Sequence, residues 1–198
     1  MQAETALYDL HLHTCWSYDA TADLKNHFER AQVLGVQCLA ITEHHVLDSQ
    51  AEVVAMGASY PQVRVIPAAE LTVHTSIGAV DLLCYGFPED VSALQPVLDA
   101  YHIWQQETGA AICAGMQALG FDYTDSHRIE LLQSYRPART LAVQGHTHVS
   151  NSIQRDHFIQ RGFIDDAAGY RDLLGRARAQ GATPHYPAVD FVIPAVKA

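Results

Sequence analysis

Two histidines one residue apart, His11 and His13 in Tyr8-Asp9-Leu10-His11-Leu12-His13-Thr14, sit at the end of an apolar run near the start of the chain. Successive side chains of a β-strand alternate between faces. Asp9, His11 and His13 are therefore expected on one face, and Tyr8, Leu10 and Leu12 on the other. Two imidazoles on one strand face reach a single metal ion, whereas a helix would splay them apart. Asp19 follows in Ser17-Tyr18-Asp19-Ala20, as a carboxylate ligand or as the N-cap of the next helix. His44 closes a second apolar run in Ile41-Thr42-Glu43-His44-His45. Only one of the adjacent histidines can share the face of a site. We assign His44 to it, with Glu43 holding an imidazole from behind and His45 lining a pocket or facing solvent. Glu70 ends a third run, Pro67-Ala68-Ala69-Glu70-Leu71. A carboxylate there is costly to bury unless it is paired or bound to a cation, and it suits the bridging of two metals. Asp81 opens a fourth run that continues to Phe87, as a ligand or facing solvent.

The elements that must present these groups alternate. Leu7 to Thr14 reads as a strand. Leu24, Phe28 and Ala31 follow at helical spacing, with Gly35 where a C-terminal cap belongs. Val36 to Thr42 is nearly continuous and apolar, as in a strand buried on both faces. Asp48 is placed to cap a second helix through Val53, Val54 and Met56. Val63 to Thr72 and Val80 to Phe87 complete four strands, and the β-α-β rhythm favours a parallel sheet or barrel. After Phe87 the pattern turns helical, with Leu94, Leu98, Tyr101, Ile112 and Leu119 at helical spacing and Thr140 to Gln144 as the best remaining strand candidate. Three regions result: an α/β part over residues 1–90, a helical insertion over 91–183, and a return helix over 184–198.

Composition bounds the function. The chain has 198 residues, 48% hydrophobic and 17% charged, enough for one ordinary domain with a real core. Its formal net charge of −10 repels nucleic acid and anionic lipid, so no stable nucleic-acid partner is expected. No apolar stretch approaches a membrane span, and Met1 to Thr5 lacks the features of a signal peptide. Cys15, Cys38, Cys84 and Cys113 form no C-x-x-C pair, which points to a reducing, cytoplasmic setting. Histidines number 12, as many as lysines and arginines together, and histidine is the commonest metal ligand.

Taken in order, DLHLHTCWSYDA, AITEHH, IPAAELTV and VDLLCYGF resemble the motifs of the PHP family, named for bacterial polymerase domains and histidinol phosphatases. The helical insertion resembles that of its small nucleotide and nucleoside-bisphosphate phosphatases. The resemblance implies a distorted (β/α)7 barrel of which this chain is a part, carrying parallel strands one to four and a helical insertion subdomain. It also implies two or three divalent ions (Mn, Zn, Fe or Mg). The family's first two histidines match His11 and His13, its next acid Asp19, its histidine after strand two His44, and its glutamate Glu70. Asp19, His44 and Glu70 would also serve catalysis. Where the family usually has histidine, this chain has Asp81, and oxygen in place of nitrogen favours harder ions such as Mn²⁺ or Mg²⁺. In the family a helix like Val189 to Ala198 leads to a glycine pair, a further strand, another histidine and an Asp-x-His pair. The chain thus resembles the first part of a full-length member.

The insertion holds weaker signals. His146 and His148 form a second H-x-H, expected at the surface or in a turn. Arg155-Asp156-His157-Phe158 resembles the family's R-x-H segment, which implies that Arg155 and His157 hold a substrate phosphate. His27, His74, His102, His127 and His185 have ordinary surface or core readings. The function expected is a metal-dependent phosphoesterase that hydrolyses a small phosphomonoester with a metal-activated water. A different reading is a catalytically impaired scaffold that binds metal or a partner. Its open strand edges would promote self-association. Metal-dependent hydrolysis of a carbon–nitrogen bond is a third.

Overall fold

The computed structural model describes residues 6–197. Four strands, β1 (Tyr8–Leu12), β2 (Cys38–His44), β3 (Arg64–Thr75) and β4 (Gly78–Tyr85), form one sheet in the order β1-β2-β3-β4. Strands β1, β2 and β3 run parallel. Their crossovers are the helices α1 (Leu24–Leu34) and α2 (Gln50–Ser59). Asp23 caps α1 by accepting from the Lys25 amide, and Gly35 ends it at φ 73°, a left-handed position that suits glycine. The residue capping α2 is Ser49 rather than Asp48, and it makes no side-chain cap bond.

The fourth strand departs from the expected parallel arrangement. It runs antiparallel to β3, with Thr75 paired to Gly78. The reason is length: a parallel return needs a crossover of about a dozen residues or more, and only Ser76 and Ile77 separate the strands. Thr75 Oγ1 donates to the Gly78 carbonyl at 2.7 Å and accepts from the Ile77 amide, closing the hairpin. The sheet is therefore mixed, as part of a barrel. It also curls. Although β1 and β4 stand at opposite ends of the strand order, the Tyr85 hydroxyl donates to the Leu10 carbonyl at 2.8 Å.

The helices that follow are α3 (Gln95–Ala118), α4 (Asp125–Tyr135), α5 (Ala138–Gln144), α6 (Asn151–Gln160), α7 (Ala167–Gly181) and α8 (Val189–Val196). The segment Thr140 to Gln144, the best strand candidate in this region, belongs to α5. Contacts divide the chain into two units. One holds the described residues up to Tyr101 together with those from Tyr186 onward, and the other is His102–His185.

In the first unit the sheet has two apolar layers. Leu39 and Ile41 pack with Leu24, Phe28, Ala31 and Val53 of α1 and α2. Ala69, Leu71 and Val73 pack with Val97, Leu98 and Tyr101 of α3 and Val192 of α8. In the second unit Ile112, Cys113 and Met116 of α3 pack with Tyr123, Phe158 and the Tyr170, Leu173, Leu174 and Ala177 side of α7. Here α3 and α7 touch backbone to backbone. A Cβ on Gly115 would lie 1.8 Å from the Ala177 carbonyl oxygen, and one on Gly181 would lie 1.8 Å from that of Ala111. No described helix is long and apolar enough to cross a membrane.

Candidate metal centre

Three strands deliver the site. His11 and His13 come from β1 and the residue just past its end, His44 from the last position of β2, and Glu70 from β3, where it stands in register with His44. The four converge on one atom. Glu70 Oε2 lies 2.8 Å from His11 Nε2, 3.2 Å from His13 Nε2 and 3.6 Å from His44 Nδ1. Donor atoms of His11, His13 and Glu70 all lie within 4.8 Å of one another. Asp19 joins from the loop after β1, its Oδ2 3.4 Å from His44 Nε2. The rings of His13 and His44 stack, with centroids 4.5 Å apart. The Glu70 side chain is 6% exposed and that of His11 49%, so the centre is open on the His11 side.

A hydroxyl behind the site sets the protonation of His13. Ser17 Oγ donates to Glu43 Oε2 at 2.5 Å and accepts from the His44 amide at 2.9 Å. A serine has one proton to give and two lone pairs. Its remaining contact, 3.2 Å from His13 Nδ1, is then a bond that His13 donates. The Nε2 lone pair of a neutral His13 is thereby aimed at Glu70 Oε2. Burial, with the neighbouring His44 adding to it, pushes the His13 pKa down to about 4. An imidazole lone pair and a carboxylate oxygen facing each other at 3.2 Å are two acceptors without a proton between them. That arrangement suits a divalent cation, and imidazole nitrogens with carboxylate oxygens are an ordinary donor set for Zn²⁺, Mn²⁺ or Fe²⁺.

Other groups shape the electrostatics. Burial opposes charge on His44, but its bond to Asp19 and the charges of Asp19, Glu70 and Asp81 outweigh that and raise its pKa. Burial also opposes charge on Asp19, which the His44 contact overcomes, lowering its pKa. Glu43 is fully buried. Burial raises its pKa against the pull of its bonds from Ser17, the Thr14 hydroxyl and the Thr14 amide. His27 Nε2 lies 2.9 Å from the His13 carbonyl and donates to it, tying α1 to the end of β1.

The family model for the PHP domain matches residues 9–179. The chain belongs to the PHP domain family. No curated protein matches it. Among solved structures, a candidate metal-dependent phosphoesterase from Bifidobacterium adolescentis is similar at a TM-score of 0.70 and 18% identity, over 96% of this chain and 63% of that one. An amidohydrolase from Chromobacterium violaceum, with bound sulfate and no metal, is similar at a TM-score of 0.69 and 18% identity, over 96% of this chain and 64% of that one. This PHP domain thus spans somewhat less than two-thirds of the length of either, and at such identity the likeness is one of fold.

Within the PHP domain, His11, His13, Asp19, His44 and Glu70 are brought together, and three expectations are corrected. Asp9 was expected on the histidine face. The register of β1 against β2 shifts by one residue, so that Asp9 pairs with Leu39 and Leu12 with Ile41. Asp9 is exposed, with no hydrogen bond to a site imidazole among the described residues. Glu43 holds no imidazole directly; it bonds Thr14 and Ser17 and acts on His13 through Ser17. His45 does not face solvent: it is 1% exposed, with φ 65°, a left-handed conformation that costs a non-glycine residue on the order of 1–3 kcal/mol.

Asp81 stands in the middle of β4 opposite Thr72, whose hydroxyl donates to it at 2.6 Å. It lies outside the three-residue cluster of donor atoms. Arg155 and His157 lie on α6 in the second unit. Arg155 pairs with Asp156 at 2.8 Å, and burial lowers the pKa of His157. In the same unit His146 is exposed, whereas His148 is buried, edge-on to Trp104. Sequence reasoning missed Ser17, Thr72 and the buried role of His45. Thr72 was within reach, since it follows Glu70 by two residues and so shares its strand face.

Proposed function

We propose that this PHP domain is a metal-dependent hydrolase of small phosphomonoesters such as nucleotides. The observation that carries the reading is the convergence of three imidazoles and a buried carboxylate, with the His13 lone pair set against Glu70. His11, His13 and Glu70 would hold one divalent ion, and Asp19 and His44 would complete its surroundings or hold a second. When bound, such ions supply an activated water and neutralise the charge of a phosphoryl group. The chain's own residues do the rest. Ser17 keeps the His13 proton on Nδ1, away from the centre, and Asp19 orients the His44 ring. The exposed flank of His11 admits the substrate.

The test is hydrolysis by chain stripped of metal and then reloaded with Mn²⁺ or Zn²⁺, offered p-nitrophenyl phosphate, a nucleoside monophosphate and an amide. Metal-dependent phosphate release, lost in Glu70→Gln, is the expected result. Cleavage of the amide alone would replace the phosphoesterase reading with a carbon–nitrogen hydrolase. Tight metal binding without turnover would favour the scaffold.

A further inference from the structure

Asp81 shares a sheet face with Glu70, for Thr72 follows Glu70 by two residues and pairs directly with Asp81 across the β3–β4 ladder. Its carboxylate is nevertheless engaged by Thr72, whose Oγ1 donates to Asp81 Oδ1 at 2.6 Å. An ionised carboxylate only accepts, and a hydroxyl has a single proton. With that proton committed, the 3.0 Å contact between Thr72 Oγ1 and His45 Nε2 requires His45 to donate. The three residues form a chain of fixed polarity, from His45 Nε2–H to the Thr72 hydroxyl to Asp81. Further contacts hold His45. Its ring stacks on Tyr101 at 4.7 Å and 8°, and the Tyr101 hydroxyl is itself anchored on the Thr72 carbonyl at 2.8 Å. Its amide donates to the Glu70 carbonyl at 2.8 Å. A left-handed residue persists where its surroundings over-determine it, and this one directly follows His44.

We propose that Asp81 is a positioning residue of the metal centre rather than one of its ligands. Through Thr72 it orients His45, and the locked turn at His45 aims the His44 imidazole at Glu70 and Asp19. The inference rests on reading the centre as a cation site. It assigns a task to the aspartate that stands where the family resemblance leads one to expect histidine: a carboxylate accepts the Thr72 proton whatever ion is bound.

Four variants test it: Thr72→Val, its conservative control Thr72→Ser, Asp81→Ala at an exposed position, and the Thr72→Val/Asp81→Ala double. In ¹⁵N-labelled, metal-stripped chain, long-range ¹H–¹⁵N spectra report which ring nitrogen of His45 carries the proton. Nε2–H is expected in the parent and in Thr72→Ser. Thr72→Val and Asp81→Ala should lose that preference and shift the His44 resonances. In calorimetric titrations with Mn²⁺, Thr72→Val and Asp81→Ala should each weaken binding by about 10-fold, the range for partners behind a ligand. The double variant should be no weaker than either single one, because both cut the same chain. Weakened binding in Asp81→Ala with unchanged binding in Thr72→Val would make Asp81 a ligand and overturn the proposal. So would His45 nitrogens indifferent to both substitutions. A parent chain that takes up no Mn²⁺ would strike the cation reading instead; the His45 and His44 resonances would then decide the positioning by themselves.

Discussion

Nε2 of His11 and Oε2 of Glu70 lie 2.8 Å apart although 59 residues separate them in the chain. A carboxylate 6% exposed in the middle of β3 is stable only with partners, and three imidazoles supply them here. A centre built this way is most sensitive at the atom its groups share. Glu70→Gln should lower Mn²⁺ or Zn²⁺ affinity by at least about 100-fold, beyond the effect of an outer partner. His13→Ala should do the same while leaving the helical signal in circular dichroism intact. Unchanged metal content after desalting, read by plasma mass spectrometry, would remove both from the ligand set.

Ser17 connects Glu43, His13 and the His44 backbone through one hydroxyl. Replacing it by alanine leaves the buried Glu43 with one donor fewer and releases the His13 tautomer. An unsatisfied buried group costs about 1–3 kcal/mol, so Ser17→Ala should lower stability by that amount in denaturant unfolding. It should also weaken metal binding by about 10–100-fold. Ser17→Thr, which keeps the hydroxyl, should retain more of both. Equal loss in the two variants would mean that the hydroxyl is not what matters.

His13 should titrate unusually. Its pKa in the folded chain is lowered to about 4, from an ordinary value of 6.5, by burial and the nearby His44. As pH falls, the unfolded chain takes up this proton first. The metal-free fold therefore loses stability from His13 between about pH 6.5 and about 4, and loses none further from it below that. His44, whose pKa is raised, acts with the opposite sign: the stability it contributes is present at low pH and lost as pH rises through its folded value. Residue-resolved NMR titration of metal-free chain separates the two. A His13 midpoint near 6.5 would contradict the buried, neutral imidazole described above.

The helical unit has its own test. Gly115 and Gly181 admit the Ala177 and Ala111 carbonyls at distances that no Cβ tolerates. Gly115→Ala should destabilise the protein by about 1–3 kcal/mol through overpacking, with Gly175→Ala, where a Cβ meets open space, as the control. Equal melting temperatures for the two variants would show that α3 and α7 separate without cost.

Much of the centre was legible in the chain because strand alternation is a local rule. His11 and His13 share a face by their spacing, and His44 closes an apolar run at the end of β2; Glu70, read as a strand end, instead stands where the pairing with β2 stops while β3 runs on to Thr75. These facts, together with the resemblance of the four motifs to the PHP family, pointed to the α/β class and to five of the residues that converge. What only the tertiary structure decided depends on register and on contacts between distant segments. The pairing of β1 with β2 shifts by one residue between Asp9 and Leu12, and Asp9 is left exposed without a site imidazole as partner among the described residues. A two-residue hairpin reverses β4 and brings Asp81 opposite Thr72. The single proton of Ser17, given to Glu43 26 residues away, settles which nitrogen of His13 faces Glu70. Side-chain spacing is a property of one strand, but pairing and protonation are properties of several at once, and no periodicity within a single segment encodes them.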